Sequence, residues 1–134
     1  MITYPAGTRR MLYAILCYND QDAVAAWSED EDAEVMARLE AVHQRLLDEG
    51  RLGPAARLAF TPQARTLRKA TQPPLVTDGP YAETKEAMLG FYVVDCDDDE
   101  AAMDVARELE RANPGVGGYE VRPIRMFIPG AGVS

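Results

Sequence analysis

Two stretches of the chain are apolar on both alternating faces, and two others repeat apolar residues at helical spacing. Met11 to Tyr18 places Met11, Tyr13, Ile15 and Cys17 on one side and Leu12, Ala14, Leu16 and Tyr18 on the other. A strand with two dry faces is covered on both. Met88 to Cys96 reads the same way, with Leu89, Phe91 and Val93 on one face and Met88, Tyr92 and Val94 on the other. Gly90 inside it marks a bulge or a close backbone approach. A helix is predicted from the Ser28 to Glu31 capping box to about Glu49, before Gly50. Its apolar stripe is Val35, Leu39, Val42 and Leu46. A second helix follows the acidic cap Asp97 to Glu100, runs to about Ala112 and turns Ala102, Val105, Ala106 and Leu109 inward.

The remaining segments are shorter. Strands are predicted at Ala55–Phe60, Ala64–Ala70 and Leu75–Thr77, punctuated by Pro54, Pro62, Pro73 and Pro74. Prolines favour sheet edges, so this middle piece reads as a small meander or hairpin at a sheet margin. Tyr119–Ile128 is the last strand. Residues 1–10 read as a loose leader, 11–128 as one domain and 129–134 as a tail. The order strand, helix, short strands, strand, helix, strand predicts an α+β ferredoxin-like sandwich: an antiparallel sheet with two helices on one face. Those helices leave the other apolar face bare. A second copy of the chain is its simplest cover, so a homodimer through the open sheet face is expected.

At 134 residues the chain is long enough to bury a core without staples. No apolar run is long enough to cross a bilayer as a helix. The N-terminal stretch lacks the features of a secretory signal, so a cytoplasmic, membrane-free protein is expected. A net charge of -8 and the absence of a basic stripe argue against nucleic acid; Arg65, Arg68 and Lys69 read as a charged edge strand. Cys17 and Cys96 read as buried free thiols, and no metal-site spacing is present. The order of elements around Gly115 to Gly118 is wrong for a dinucleotide loop, so no cofactor is expected.

The chemistry is concentrated between Thr77 and Glu86, which sets Asp78, Tyr81, Glu83, Thr84, Lys85 and Glu86 around the Gly79-Pro80 bend. Asp78 reads either as a turn residue accepting backbone donors or as a general base. Lys85 is suited to an anionic ligand or developing oxyanion, or to a surface ion pair. Thr84 is a ligand donor or a turn cap. His43, the one histidine, lies in the apolar stripe of the first helix. It reads as a core-edge residue, or as a catalytic group if an acidic partner or substrate lies within reach. Tyr18 and Tyr92 are strand aromatics suited to packing or to lining a cavity for a partly aromatic ligand.

Val76 to Glu86, with Gly90-Phe91-Tyr92, Glu120 to Ile124 and the opening Met11 to Tyr18, resembles the DGPF branch of the YCII-related family over residues 11 to 128. Tyr81 stands where the motif commonly has Phe. The resemblance implies a dimeric α/β barrel built from ferredoxin-like protomers, kinship with muconolactone-isomerase-like enzymes, and for some members association with extracytoplasmic-function sigma factors. Some YCII proteins use a His–Asp pair. The family's helix histidine falls near Leu39, with His43 one turn further on; Asp78 is the match for the carboxylate. Two readings follow. One is a cofactor-independent isomerase or lyase acting on a small aromatic or anionic metabolite in a dimer cavity, with Asp78 as acid or base, His43 as a further candidate, and Tyr81, Glu83, Thr84, Lys85, Tyr18 and Tyr92 binding ligand. The other is a non-catalytic sensor or accessory protein that docks a sigma factor.

Overall fold

The computed structural model describes residues 2–3 and 11–132. Its central element is a four-stranded antiparallel sheet. In chain order the strands are β1 (Ile2–Thr3), β2 (Met11–Asp20), β3 (Leu52–Arg57), β4 (Arg65–Arg68), β5 (Leu75–Asp78), β6 (Glu86–Cys96), β7 (Gly117–Pro123) and β8 (Met126–Phe127). The helices are α1 (Gln21–Ala25), α2 (Glu29–Asp48) and α3 (Asp99–Ala112). The main sheet has the order β3-β6-β2-β7, with every neighbouring pair antiparallel. With α2 and α3 packed on one face, this is the ferredoxin-like arrangement.

Local chemistry sets these boundaries. The Ser28 hydroxyl accepts from the Glu31 amide at 3.1 Å, and the Glu31 carboxylate accepts from the Ser28 amide at 3.4 Å. That reciprocal pair starts α2. Asp98 caps α3 by accepting from the Ala101 amide at 2.8 Å. A third helix was not foreseen. Asp20, at the end of β2, accepts from the amides of Asp22 and Ala23 and starts the five-residue α1. So short a helix carries too few turns to show a period.

Tyr13 and Ile15 of β2, Val94 and Cys96 of β6, the α2 stripe Val35, Leu39 and Leu46, and the α3 residues Ala102, Val105, Ala106 and Leu109 form the main core. Leu46, Leu109, Ile15 and Val94 are fully buried. Full burial of such side chains contributes roughly 1.5–3 kcal/mol each. Arg38 Nε of α2 donates to the Ala112 carbonyl at the end of α3, at 2.9 Å, which ties the two helices together.

A register shift between Cys17 and Tyr18 splits β6. On one side of it, Tyr92, Val94 and Cys96 face the helices. On the other, Met88 pairs with Tyr18 and is turned out, while Leu89 and Ala87 are buried with Val24 of α1. The expected grouping of Met88 with Tyr92 and Val94 is thereby corrected, because a bulge reverses the alternation. Gly90 marks a close approach: a Cβ there would lie 2.7 Å from the Ala56 carbonyl oxygen of β3.

The middle segment is split. β3 is an edge strand of the main sheet, and Gly53 and Pro54 sit in an irregularity of its pairing, as suits a residue with no amide hydrogen. β4 and β5 pair only with each other, as a separate hairpin. The last predicted strand is interrupted after Pro123. Its short continuation, β8, pairs with Ile2 and Thr3, so those two residues form a strand rather than loose leader. The rest of the expected leader, residues 1 and 4–10, and the last two residues of the expected tail lie outside the described residues.

Leu12, Ala14 and Leu16 point away from the helices, beside Val93 and Phe91 of β6. Glu120 and Arg122 border this second face. Tyr18 lies on it too, its hydroxyl donating to Glu120 at 3.4 Å.

Candidate functional site

A cavity of about 330 Å3 lies on the helix-covered side of the sheet, at the lower end of the range for small-molecule sites. Trp27, Val35, Met36 and Leu39 line it from the helix layer. Leu89, Tyr92, Ala55 and Tyr119 line it from the sheet. Its walls are mostly apolar, with a few polar side chains converging on the interior: His43, Tyr92, Cys17, Tyr119 and Asn113.

His43 follows Leu39 by one turn of α2, so the helix that buries Leu39 also aims the imidazole at the sheet. Tyr92 of β6 faces it because Tyr92 belongs to the inward set before the bulge. The His43 Nε2 and Tyr92 Oη lie 2.8 Å apart, and the rings are tilted by 53° with centroids 5.2 Å apart. Burial lowers the His43 pKa below its ordinary value, only partly opposed by Glu40. Burial also pushes Tyr92 up to about 12, with Cys17 adding to the shift. At neutral pH an uncharged imidazole therefore shares a hydrogen bond with an uncharged phenol.

Cys17 of β2 is paired directly with Tyr119 of β7. Burial raises the thiol's pKa, partly opposed by the hydrogen bond from Tyr119 and by Arg57. It stays protonated and is a poor nucleophile. Burial, then Cys17, raises Tyr119. Arg57 reaches the cavity from β3, but its guanidinium donates to Asp32 at 2.9 Å. The polar strip is therefore neutral, and Arg57, the one cation among the described residues that line the cavity, is engaged.

The loop predicted to carry the chemistry lies elsewhere. None of residues 77–86 lines this cavity. Asp78 ends β5 with its side chain 95% exposed, 3.8 Å from Arg65. The bend itself is held by backbone bonds: the Gly79 amide donates to the Ala64 carbonyl at 2.8 Å, and Thr66 Oγ1 donates to the Gly79 carbonyl at 2.8 Å. Tyr81 is 77% exposed, with the Arg68 guanidinium 5.3 Å from its ring centre. Lys85, 75% exposed, stands 3.8 Å from Asp20. Thr84 donates to the Glu86 carbonyl at 2.6 Å. Glu83 and Thr84 border a shallow groove completed by Gln21, Thr61, Pro62 and the Gly79-Pro80 bend. Of the eight predicted site residues, only His43 and Tyr92 meet. Tyr18 lies on the opposite face of the sheet from Tyr92.

Cys17, Trp27, Tyr119 and Asn113 were not singled out as site residues. Cys17 read as a buried free thiol and Tyr119 as the start of the last strand. The one available signal was face parity, which puts Cys17 on the same side as Tyr13 and Ile15. Among the described residues no group of three or more His, Cys, Asp or Glu is arranged to hold a metal ion. No helix of the described residues is long and apolar enough to cross a membrane.

The family model for the YCII-related domain matches residues 11–128. The chain belongs to the YCII-related family. This YCII-related protein is also 52% identical over 120 residues to the uncharacterized protein R00369 of Rhizobium meliloti (strain 1021), a match covering 90% of this chain and 97% of that relative. The membership agrees with the resemblance carried by the Asp78-Gly79-Pro80 motif and its flanking strands. In this YCII-related chain the Asp78-Gly79-Pro80 motif lies away from the apolar cavity beneath α2.

Proposed function

We propose that the protein binds a small, largely apolar molecule in the cavity between α2 and the sheet and transfers a proton on it without a cofactor, as an isomerase. The observation that carries this reading is the 2.8 Å contact between His43 and Tyr92 at the wall of a mostly apolar hollow. The Tyr92 oxygen takes a proton from an acidic position of the ligand while its own proton passes to His43 Nε2. Imidazolium forms, and the electron pair left on an unsaturated ligand is delocalised as a dienolate, which places charge on a second carbon. The return transfer delivers a proton to a second carbon and restores both side chains. The apolar walls of the site supply a low-dielectric setting in which a neutral base operates near neutrality. A partly aromatic ligand suits Trp27, Leu39 and Leu89 better than an anionic one, because among the described residues no unpaired cation lines the cavity.

The test is a screen of phenolic and lactone compounds for turnover and for quenching of Trp27, the single tryptophan. With a substrate found, His43→Gln and Tyr92→Phe are each expected to lower kcat by about 10²–10⁴-fold, and Asp78→Asn to leave it unchanged. Turnover that survives His43→Gln but is lost in Asp78→Asn would return the chemistry to the loop.

The open sheet face supports a homodimer, with Leu16 and Phe91 near its centre. Leu16→Arg is expected to convert a dimer to monomer in sedimentation velocity. A second reading, a non-catalytic module that docks a protein such as a sigma factor, draws on the hairpin β4–β5 and its loop. There Leu67, Leu75, Val76 and Tyr81 are exposed, and Asp78, Glu83 and Lys85 would serve as recognition groups. Retention of a sigma factor by the wild type and its loss in Tyr81→Ala, with no turnover found, would favour this reading.

A further inference from the structure

We infer that Asn113 is a specificity-determining residue of this cavity, selecting a neutral ligand that donates a hydrogen bond from its polar end; the inference rests on the cavity reading above. Asn113 closes α3. Its amide donates to the Leu109 carbonyl at 2.9 Å and to the Glu110 carbonyl at 3.2 Å, and Pro114 follows, preventing the helix from continuing. The backbone is thus held on both sides, and the side chain is directed to the cavity wall. There its Nδ2 donates to the Tyr119 hydroxyl at 3.4 Å. Its Oδ1 is shielded from solvent and has no hydrogen-bond partner among the described residues.

Two neighbouring donors are directed elsewhere. The Tyr119 hydroxyl interacts with the Cys17 sulfur. Arg38, reaching over from α2, donates to the Ala112 carbonyl instead. A buried acceptor left unsatisfied is costly, and the residue that carries it lines two hollows. Beside the main cavity is a smaller hollow of about 30 Å3, room for one hydroxyl or one water. Cys17, Asn19, Asn113 and Tyr119 wall both spaces. The ligand class that fits both is a ring compound with a phenolic, enolic or lactam N–H or O–H at one end. Its apolar body lies against Trp27 and Leu39, and its donor reaches Asn113 Oδ1. An ether of the same skeleton would leave the acceptor unpaired, the circumstance in which polar sites discriminate most strongly.

Isothermal titration of the full chain at pH 7 with 2-naphthol and with 2-methoxynaphthalene separates the outcomes. The wild type is expected to bind 2-naphthol at least about tenfold more tightly than the ether. Asn113→Ala is expected to reduce that ratio to near unity. Asn113→Asp, which keeps an acceptor at the same place, is expected to preserve the preference, and it serves as the readout if the alanine variant does not fold. Equal binding of both probes by the wild type would overturn the inference, as when a water already satisfies Asn113, while leaving the cavity reading intact. A preference for the ether, or a ratio unchanged in Asn113→Ala, would overturn it too. Binding of neither probe to the wild type would overturn the cavity reading and this inference together.

Discussion

The cavity beneath α2 and the loop from Thr77 to Glu86 divide the molecule's chemistry in opposite ways. The loop is dense in ionisable groups, continuous in sequence and exposed. The cavity is lined from β2, α1, α2, β3, β6, the end of α3 and β7, its described lining residues other than Arg57 are uncharged, and it is partly sheltered from solvent. Solvent accounts for the contrast. Charges in a loop need no partners because water screens them, so they accumulate there at little cost. Polar groups beneath a helix must be neutral or paired, so each is rare and must be positioned by the fold. Density of charge along a chain therefore marks a surface, and scarce neutral polar residues on inward faces mark an interior site.

Substitutions sharpen this contrast, beginning with the largest expected effect. Gly117 starts β7 beside the smaller hollow with φ +118, and a Cβ there would lie 2.2 Å from the Tyr18 carbonyl oxygen. Gly117→Ala is expected to cost more than about 3 kcal/mol in urea unfolding. Asp78→Ala, in the loop, is expected to lie within about 0.5 kcal/mol of wild type. Next comes pairwise coupling. A double-mutant cycle on His43 and Tyr92 is expected to give about 1 kcal/mol, whereas one on Arg65 and Asp78 is expected to give none measurable, their side chains being 72% and 95% exposed. A null coupling at His43 and Tyr92 would remove the distinction between the two regions.

The smallest effect is in pH. Because burial lowers the His43 pKa from 6.5, the unfolded chain binds a proton at this residue more readily than the folded one. Stability from this group is complete above pH 6.5 and falls as acid carries the pH down from there. Thermal melts between pH 7 and about 5, above the range where carboxylates titrate, are expected to show the wild type losing Tm relative to His43→Gln. Parallel profiles would place the imidazole in contact with water.

Much of the fold was legible because its signals are local and redundant. The Ser28 box, the Val35 to Leu46 stripe and the Asp98 cap each name one element, and each is present. Features that depend on partners in space were not legible. The bulge opposite Leu89 reverses a parity that the residue pattern of β6 alone does not reveal. α1 is shorter than the two turns a period needs. Of the candidate site, His43 and Tyr92 were legible as single residues, but their contact was not, because they lie 49 positions apart and only the packing of α2 on β6 joins them. Asn113 was masked by its own backbone role: an Asn before Pro ends a helix whether or not its side chain has a second task.

The slip between Cys17 and Tyr18 has an evolutionary consequence. β6 serves two groups of inward residues, Ala87 and Leu89 on one side of the slip and Tyr92, Val94 and Cys96 on the other. Deleting or adding a single codon anywhere in that strand would turn one group outward and empty one wall of the chamber. Length is accordingly frozen between Glu86 and Cys96, whereas the β4–β5 hairpin, which pairs only with itself, is free to grow or shrink. Relatives should record that asymmetry as gaps clustered at 64–79 and none in β6.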